Sequence, residues 1–377
     1  MSYKISSLVV FLFIVMACSK PSKNEEVAKN EEVAKDQYTG ATKKSTIHYE
    51  GEKHLKNIRQ LTFGGDNAEA YWSFDDRKLV FQATNPKWEE DCDQIYFTDW
   101  ESSKMDSIPP TRVSTGLGRT TCAYFLPGDT TIVYASTHLA NKNCPPKPAK
   151  REDGKYVWPI YSGFDIFITD LQGDIKQQLT DFEGYDAEAT VSPKGDKIVF
   201  TSMRTGDLEL FTMNIDGSEV KQITNELGYD GGAFFSPDGS KIIFRASRPK
   251  TQEEVKIYKD LLAEELVMPT DMELFICNVD GSELRQLTSL GNANWCPFFH
   301  PSGDKIIFGS NHASERGFPF NLFMINTDGT GLEQITEDGV FDAFPVFSND
   351  GKYLVFSSNR NNGGGRDTNL FVAEWVD

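Results

Sequence analysis

The sequence is short of basic residues. It carries 38 Lys and Arg against 56 Asp and Glu, for a formal net charge of −18. Nucleic-acid phosphates need a basic surface, so a nucleic-acid partner is not expected. The same balance disfavours loose adhesion to an anionic membrane. Long hydrophobic runs are absent too. The apolar stretch Leu8 to Ala17 spans ten residues, half of the roughly 20 that a spanning helix takes. There is no G-x-S-x-G nucleophile elbow, no P-loop, no dinucleotide fingerprint, no H-E-x-x-H and no C-x-x-C. These gaps remove the sequence signatures of common hydrolases, nucleotide enzymes and zinc sites. Histidine is scarce as well, at five: His48, His54, His138, His300 and His312. No cofactor is expected.

What is present begins with a processing signal. Lys4 precedes the apolar run, which ends in Val15-Met16-Ala17-Cys18. A charged start, a short apolar core and a small residue at the end are the parts of a signal peptide. The small residue just before Cys18 resembles the bacterial lipobox. That resemblance implies a leader over residues 1–17, lipid on Cys18 and a mature chain starting there, held in the cell envelope by its acyl chains. Residues 18–50 are polar and contain NEEVAK twice in succession, at Asn24 to Lys29 and Asn30 to Lys35. With almost no large apolar side chains this stretch cannot bury a core, and it reads as a tether.

The remaining chain, 51–377, is repetitive. One unit reads YDAEATVSPKGDKIVFTSMRTGDLELFTMNIDGSEVKQIT from Tyr185 to Thr224. Related units start near Tyr229, Asn292 and Phe341, and two degenerate ones near Asn67 and Thr120. Each has a short apolar strand, a Ser-Pro-Asp-Gly type turn, a β-branched and aromatic strand, a third strand, an Asp-Gly turn and a strand ending in Gln-Ile-Thr or Gln-Leu-Thr. Pro, Asp and Gly at those places set hairpin geometry. Four antiparallel strands in about 44 residues make a propeller blade. The expected fold is therefore all-β: six four-stranded antiparallel blades in one ring. The last unit stops after its third strand, at Leu370 to Trp375, and Arg59-Gln60-Leu61-Thr62 matches the missing fourth. The N-terminal strand is expected to complete the last blade and close the ring, leaving few free edges.

SPKGDKIVF, SPDGSKIIF and NIDGSEVKQIT resemble the repeats of the TolB family of bacterial propellers, and the resemblance covers about residues 55 to 377. It implies the propeller fold and says little about function. The N-terminal α/β domain of that family has no counterpart here, only the tether.

Aligning the six units brings out two positions eighteen residues apart in each. The first holds Asn67, Thr120, Asp186, Asp230, Asn294 and Asp342; the second holds Asn85, His138, Arg204, Arg248, His312 and Arg360. The first opens the innermost strand and the second follows the strand paired with it, so each pair should meet. Asp186–Arg204, Asp230–Arg248 and Asp342–Arg360 would be ion pairs. Together the two positions would ring one mouth of the channel, either tying hairpin ends together or gripping an anionic group, for which Arg is suited. His138 and His312 fall on opposite blades. Glu69 and Glu188 lie two residues further along, in register with Cys122 and Cys296, and are candidate ligands pointing inward. Glu69, Asp186 and Glu188 could in principle supply oxygens to a hard cation, but the spacing is no recognised metal loop and no metal is expected.

Long insertions follow His138 and Arg248, and should hang over the same mouth. Glu253 to Leu266 within the second has helical spacing. An oxidising envelope compartment would permit disulfides; Cys92 with Cys144 is the favoured candidate, and Cys277, inside an apolar strand, is expected to be buried. Together these features favour a non-enzymatic envelope lipoprotein that binds a protein, peptide or glycan partner at one channel mouth. It would touch the membrane through its lipid alone, on a periplasmic or outer-membrane surface. The alternatives are a propeller hydrolase or lyase with its site in the channel, and an accessory subunit of a separate peptidase or transporter.

Overall fold

The structure, a computed structural model, describes residues 47–377 apart from Glu89 and Arg316. The leader, Cys18 and nearly all of the tether lie outside the described residues.

Six four-stranded antiparallel sheets follow one another along the chain. Blade 1 is Asp66–Trp72, Lys78–Thr84, Gln94–Asp99 and Thr111–Arg112; blade 2 is Thr120–Phe125, Thr131–Ser136, Asp165–Asp170 and Ile175–Gln178. Blade 3 is Asp186–Val191, Lys197–Ser202, Glu209–Asn214 and Lys221–Gln222; blade 4 is Asp230–Phe235, Lys241–Ala246, Glu273–Asn278 and Arg285–Gln286. Blade 5 is Asn294–Phe299, Lys305–Ser310, Asn321–Asn326 and Glu333–Gln334. Blade 6 is Asp342–Phe347, Tyr353–Ser358, Asn369–Trp375 and, from the other end of the chain, Leu55–Gln60. In that closing pair Leu55 lies opposite Trp375 and Gln60 opposite Phe371. The first strands of successive blades touch all the way round, blade 6 against blade 1 included, so they line the central channel.

The second strands are buried along nearly their whole length after a half-buried first residue. Phe81, Tyr134, Phe200, Phe244, Phe308 and Phe356 occupy one position in all six blades, each 0% exposed. Burying such a ring stabilises by roughly 1.5–3 kcal/mol, and the six are shared among the hydrophobic clusters that pack the blades. Every first strand contains a break in register with its neighbour. At the break sit Glu69, Cys122, Glu188, Gly232, Cys296 and Phe344, all with positive φ. A bulge of this kind re-aims one side chain, and here it puts one residue per blade at mid-depth in the channel.

The two insertions meet. Trp158–Pro159 from the first pairs antiparallel with Leu266–Val267 from the second. Between Arg248 and this strand runs the one α-helix among the described residues, Gln252–Ala263. It opens with a capping box in which Thr251 and Glu254 satisfy each other's backbone N–H groups.

Candidate binding site at the channel

The three predicted Asp–Arg pairs form. Arg204 Nη2 reaches Asp186 at 2.8 Å, Arg360 Nη2 reaches Asp342 at 2.8 Å, and Arg248 pairs with Asp230. Their surroundings are those of blade junctions rather than of an open channel. At each junction a Ser or Thr that ends the fourth strand accepts from the third strand's second N–H, as Thr224 Oγ1 does from Leu210 N at 2.9 Å. Ser114, Thr180, Thr288, Thr336 and Thr62 repeat it. The same hydroxyls donate to the side chain that opens the third strand: Thr224 to Glu209 at 2.6 Å, Thr180 to Asp165 at 3.1 Å, Thr288 to Glu273 at 2.6 Å. Asp186, Asp230 and Asp342 abut these hydroxyls. Burial raises the carboxyls here, Asp165, Asp230 and Asp342 up to about 6 and Glu209 up to about 8. Adjacent carboxylates push the same way, while the arginines opposite Asp230 and Asp342 offset part of it.

The second set of side chains folds back over its own blade. Arg204 lies 5.0 Å from the Phe211 centroid, Arg248 4.8 Å from Phe275 and Arg360 4.9 Å from Phe356. His138 and His312 each pack at a tilt against a third-strand phenylalanine, Phe167 and Phe323, with centroids 4.5 Å apart. The two histidines therefore do not face each other across the channel; each Nδ1 is held by a Ser two residues earlier, Ser136 and Ser310, at 2.9 Å. Burial holds both below the ordinary imidazole range. Exposure separates the arginines: the side chain of Arg204 is 23% accessible, that of Arg248 15% and that of Arg360 0%. Arg360 is sealed by Glu52 Oε1 at 2.9 Å and by the Ile47 carbonyl at 2.8 Å. Ile47 and Tyr49 thus contact blade 6 through Arg360.

Mid-depth in the channel the bulge residues build a separate network. Glu188 accepts from Arg245 Nη2 at 2.9 Å, from Gly232 N at 2.6 Å and from Thr201 Oγ1 at 3.0 Å. It also accepts from the Tyr229 hydroxyl. Burial alone would raise Glu188, but Arg245 and these donors outweigh it and hold the carboxyl below its ordinary value. Glu69 has a different setting: it accepts from Cys122 Sγ at 2.8 Å, and burial pushes it up to about 7. Glu69, Asp186 and Glu188 do not converge. Asp186 belongs to a blade junction, and among the described residues no cluster of three His, Cys, Asp or Glu is placed to hold a metal.

Above this network the insertions form a roof. Trp158 stacks on Trp295 at 4.9 Å and lies 5.5 Å from the Arg245 guanidinium. The second insertion is tied down where the Tyr258 hydroxyl donates to Asp207. The first is tied by a disulfide between Cys92 and Cys144. Between them lies a groove of about 610 Å³ whose lining includes Pro146, Lys147, Lys150, Arg151, Tyr161 and Glu264. The free cysteines among the described residues, Cys122, Cys277 and Cys296, are buried. Below the network, Tyr71, Tyr124, Phe234 and Phe298 contact one another in sequence at 5.2–5.7 Å and fill the far end of the channel.

Sequence reasoning passed over Arg245, Trp158 and Glu52. Arg245 left a signal: it occupies a position held by Thr201, Gly309 and Ser357 in blades 3, 5 and 6, and blade 4 also places Gly232 where its neighbours carry side chains. A large cation at a small position and a glycine opposite form a compensating pair.

Closed, six-bladed and four-stranded throughout, the molecule is a β-propeller. Residues 156–264 match the family model described as the TolB beta propeller domain. Among solved structures, the putative TolB from Agrobacterium tumefaciens superposes with a TM-score of 0.52 at 18% identity, over 83% of this chain and 91% of that one. An oligogalacturonate lyase in complex with manganese gives 0.50 at 14%, over 85% and 93%. The oligogalacturonate lyase of Vibrio parahaemolyticus gives 0.50 at 12%, over 88% and 96%. At these identities the likeness is one of fold. The sequence has no significant match among functionally curated proteins. No described helix is long and apolar enough to cross a membrane.

Proposed function

We propose that this propeller is a binding module of the cell envelope, anchored through lipid on Cys18, that docks a protein, peptide or glycan on its roofed mouth. One observation carries this reading: the two insertions pair with each other over the channel, with Trp158 on Arg245, and leave a groove on their outer side. A roof built from paired loops on a rigid ring is where recognition is usually placed. The groove carries Lys147, Lys150 and Arg151 beside the carboxylates Glu152, Asp153, Glu264 and Glu265; Arg151 is paired with Asp153 and Glu264, which leaves the two lysines for an acidic group of a partner. Of the ring residues, Arg204 and Arg248 keep an accessible edge for a partner. Asp186, Asp230, Asp342, Arg360, His138 and His312 would support them from within the blades.

The test is capture from detergent-solubilised envelopes by residues 47–377, in parallel with Arg204→Gln and with Lys147→Glu/Lys150→Glu. A partner kept by the wild type and reduced about tenfold, some 1.4 kcal/mol, by either variant supports docking at this mouth. Retention that is equal in all three overturns it.

A second reading is an enzyme with its site in the channel, and it draws on two carboxyls of opposite character, Glu69 held up and Glu188 held down. Such a split can assign an acid and a base. Turnover of a glycan or peptide by the wild type, abolished in Glu69→Gln, would favour it over the binding module.

A further inference from the structure

The first insertion carries a segment that neither the blades nor the roof strands account for. From Cys144 to Arg151 it reads Cys-Pro-Pro-Lys-Pro-Ala-Lys-Arg, and it belongs to no helix or strand. Prolines at 145, 146 and 148 fix their own φ at about −65°, and each pushes the residue before it into extended backbone. Every residue from Cys144 to Pro148 is therefore held in or close to the polyproline II conformation. Burial has the matching period. Pro145, Pro148 and Arg151 are half-buried, while Pro146, Lys147, Ala149 and Lys150 are exposed. With three residues per turn, the first set is one edge of a three-sided rod laid against the body. The other two edges face outward, Pro146 with Ala149 and Lys147 with Lys150. Such a helix has no internal hydrogen bonds. Among the described residues the backbone from Cys144 to Lys150 makes one hydrogen bond, accepted by the Pro146 carbonyl from the Tyr161 hydroxyl at 2.9 Å. The rod is fixed at both ends, by the Cys92–Cys144 disulfide and by Arg151, which pairs with Glu264 at 2.9 Å and with Asp153 at 3.2 Å. The charge of Lys147 is felt by Asp66 of blade 1, yet neither Lys147 nor Lys150 makes an ion pair among the described residues. The two lysines stand about 9 Å apart along the rod.

We propose that this strap is itself a ligand: a partner protein takes it in a shallow groove lined by aromatic side chains, with carboxylates at the rim for Lys147 and Lys150. The inference rests on the docking mouth proposed above, and names the element read there and the class of domain that reads it. The Pro146 ring and the Ala149 methyl offer an apolar edge to aromatic faces, the general mode by which polyproline II segments are recognised. A segment already held in its bound shape loses little conformational freedom on docking. Two cations on one edge fix the register of the rod in the groove. An anionic membrane fits less well, since the two lysines stand beside Glu152, Asp153, Glu264 and Glu265 on a chain of net charge −18.

The test is retention of a partner from detergent-solubilised envelopes on immobilised 47–377, followed by elution with a synthetic peptide of residues 145–151. A second peptide has glycine in place of the three prolines and keeps every cation. Two variants accompany the wild type: Ala149→Asp, which puts a carboxylate on the exposed apolar edge, and Arg204→Gln, in blade 3 and outside the strap. The expected result is a protein eluted by the proline peptide at a concentration at least tenfold below that needed of the glycine peptide. Ala149→Asp should retain it at least tenfold less, with the circular dichroism of the wild type because the side chain is exposed. Elution by both peptides alike, or equal retention by wild type and Ala149→Asp, overturns the proposal. Where Arg204→Gln still loses that partner, the docking mouth stands without the strap. A chain that retains no envelope protein removes the docking reading, and the role of the strap with it.

Discussion

At the junction of blades 3 and 4 the Thr224 hydroxyl is shared between a backbone N–H and the Glu209 carboxyl, which burial holds up at about 8. A carboxyl raised in the fold above its unfolded value binds more protons when native. Its contribution to stability is full below the ordinary range near 4.5 and is lost as pH rises through about 8. Stability should therefore fall with pH across this window, by on the order of 1 kcal/mol per unit from this group at most. Glu209→Gln keeps the hydrogen bond without the charge. Its melting temperature should match wild type near pH 5 and exceed it at pH 8.5, and equal pH profiles for the two proteins would contradict the assignment. Glu52 is the opposite case. Its carboxylate, with Asp342, compensates the fully buried Arg360. Glu52→Ala should cost roughly 2–4 kcal/mol in urea unfolding, as expected when a buried charge loses a partner.

At the scale of elements, the roof and the ring are held by different means. The ring rests on sheet ladders and the buried aromatic rings of the second strands, the first insertion on the Cys92–Cys144 disulfide and the ion pair between Arg151 and Glu264. Cys144→Ser should lower the main unfolding transition by several degrees, because the disulfide spans 52 residues that include strands of blades 1 and 2. The same substitution should speed tryptic cleavage after Lys150, Arg151 or Lys155 at least fivefold, as local opening does, and mass spectrometry of the fragments reads this directly. Elements were legible from sequence where local chemistry repeats. Turns of the Ser-Pro-Asp-Gly type and strands of the Lys-Ile-Ile-Phe type recur clearly in four units and in degenerate form in two, and Gln-Leu-Thr at residues 60–62 gave away the closing strand. The Asp–Arg pairs were legible as well, because residues that open and close one hairpin must meet. Where the guanidinium then goes was not. Arg204 turns back onto Phe211 because a flat cation gains more from an aromatic face than from a wet channel, and that choice depends on a third strand the pairing rule does not mention. Arg245 lies on the second strand of blade 4 and Trp158 in the first insertion, so they come together only through the tertiary fold.

At the scale of the molecule, closure depends on Leu55–Gln60 finding Asn369–Trp375. A chain beginning at Phe63 would leave that third strand as a bare edge and the ring unclosed. It should aggregate or melt far below a chain beginning at Ile47, as unprotected edges do; size-exclusion chromatography and calorimetry on the pair would decide. A stable, monomeric chain from Phe63 would show that the ring needs no such clasp.

The clasp also sets an order of events in time. The segment that closes the ring is the first of the described strands to be made, and its partner is the last of them. Until Trp375 is delivered, the early segment has nowhere to go, and five complete blades wait on a sixth. A polypeptide that stops short by even one strand therefore cannot pass for a finished one: the fold itself proofreads completion, and a truncated product should be left open to proteolysis.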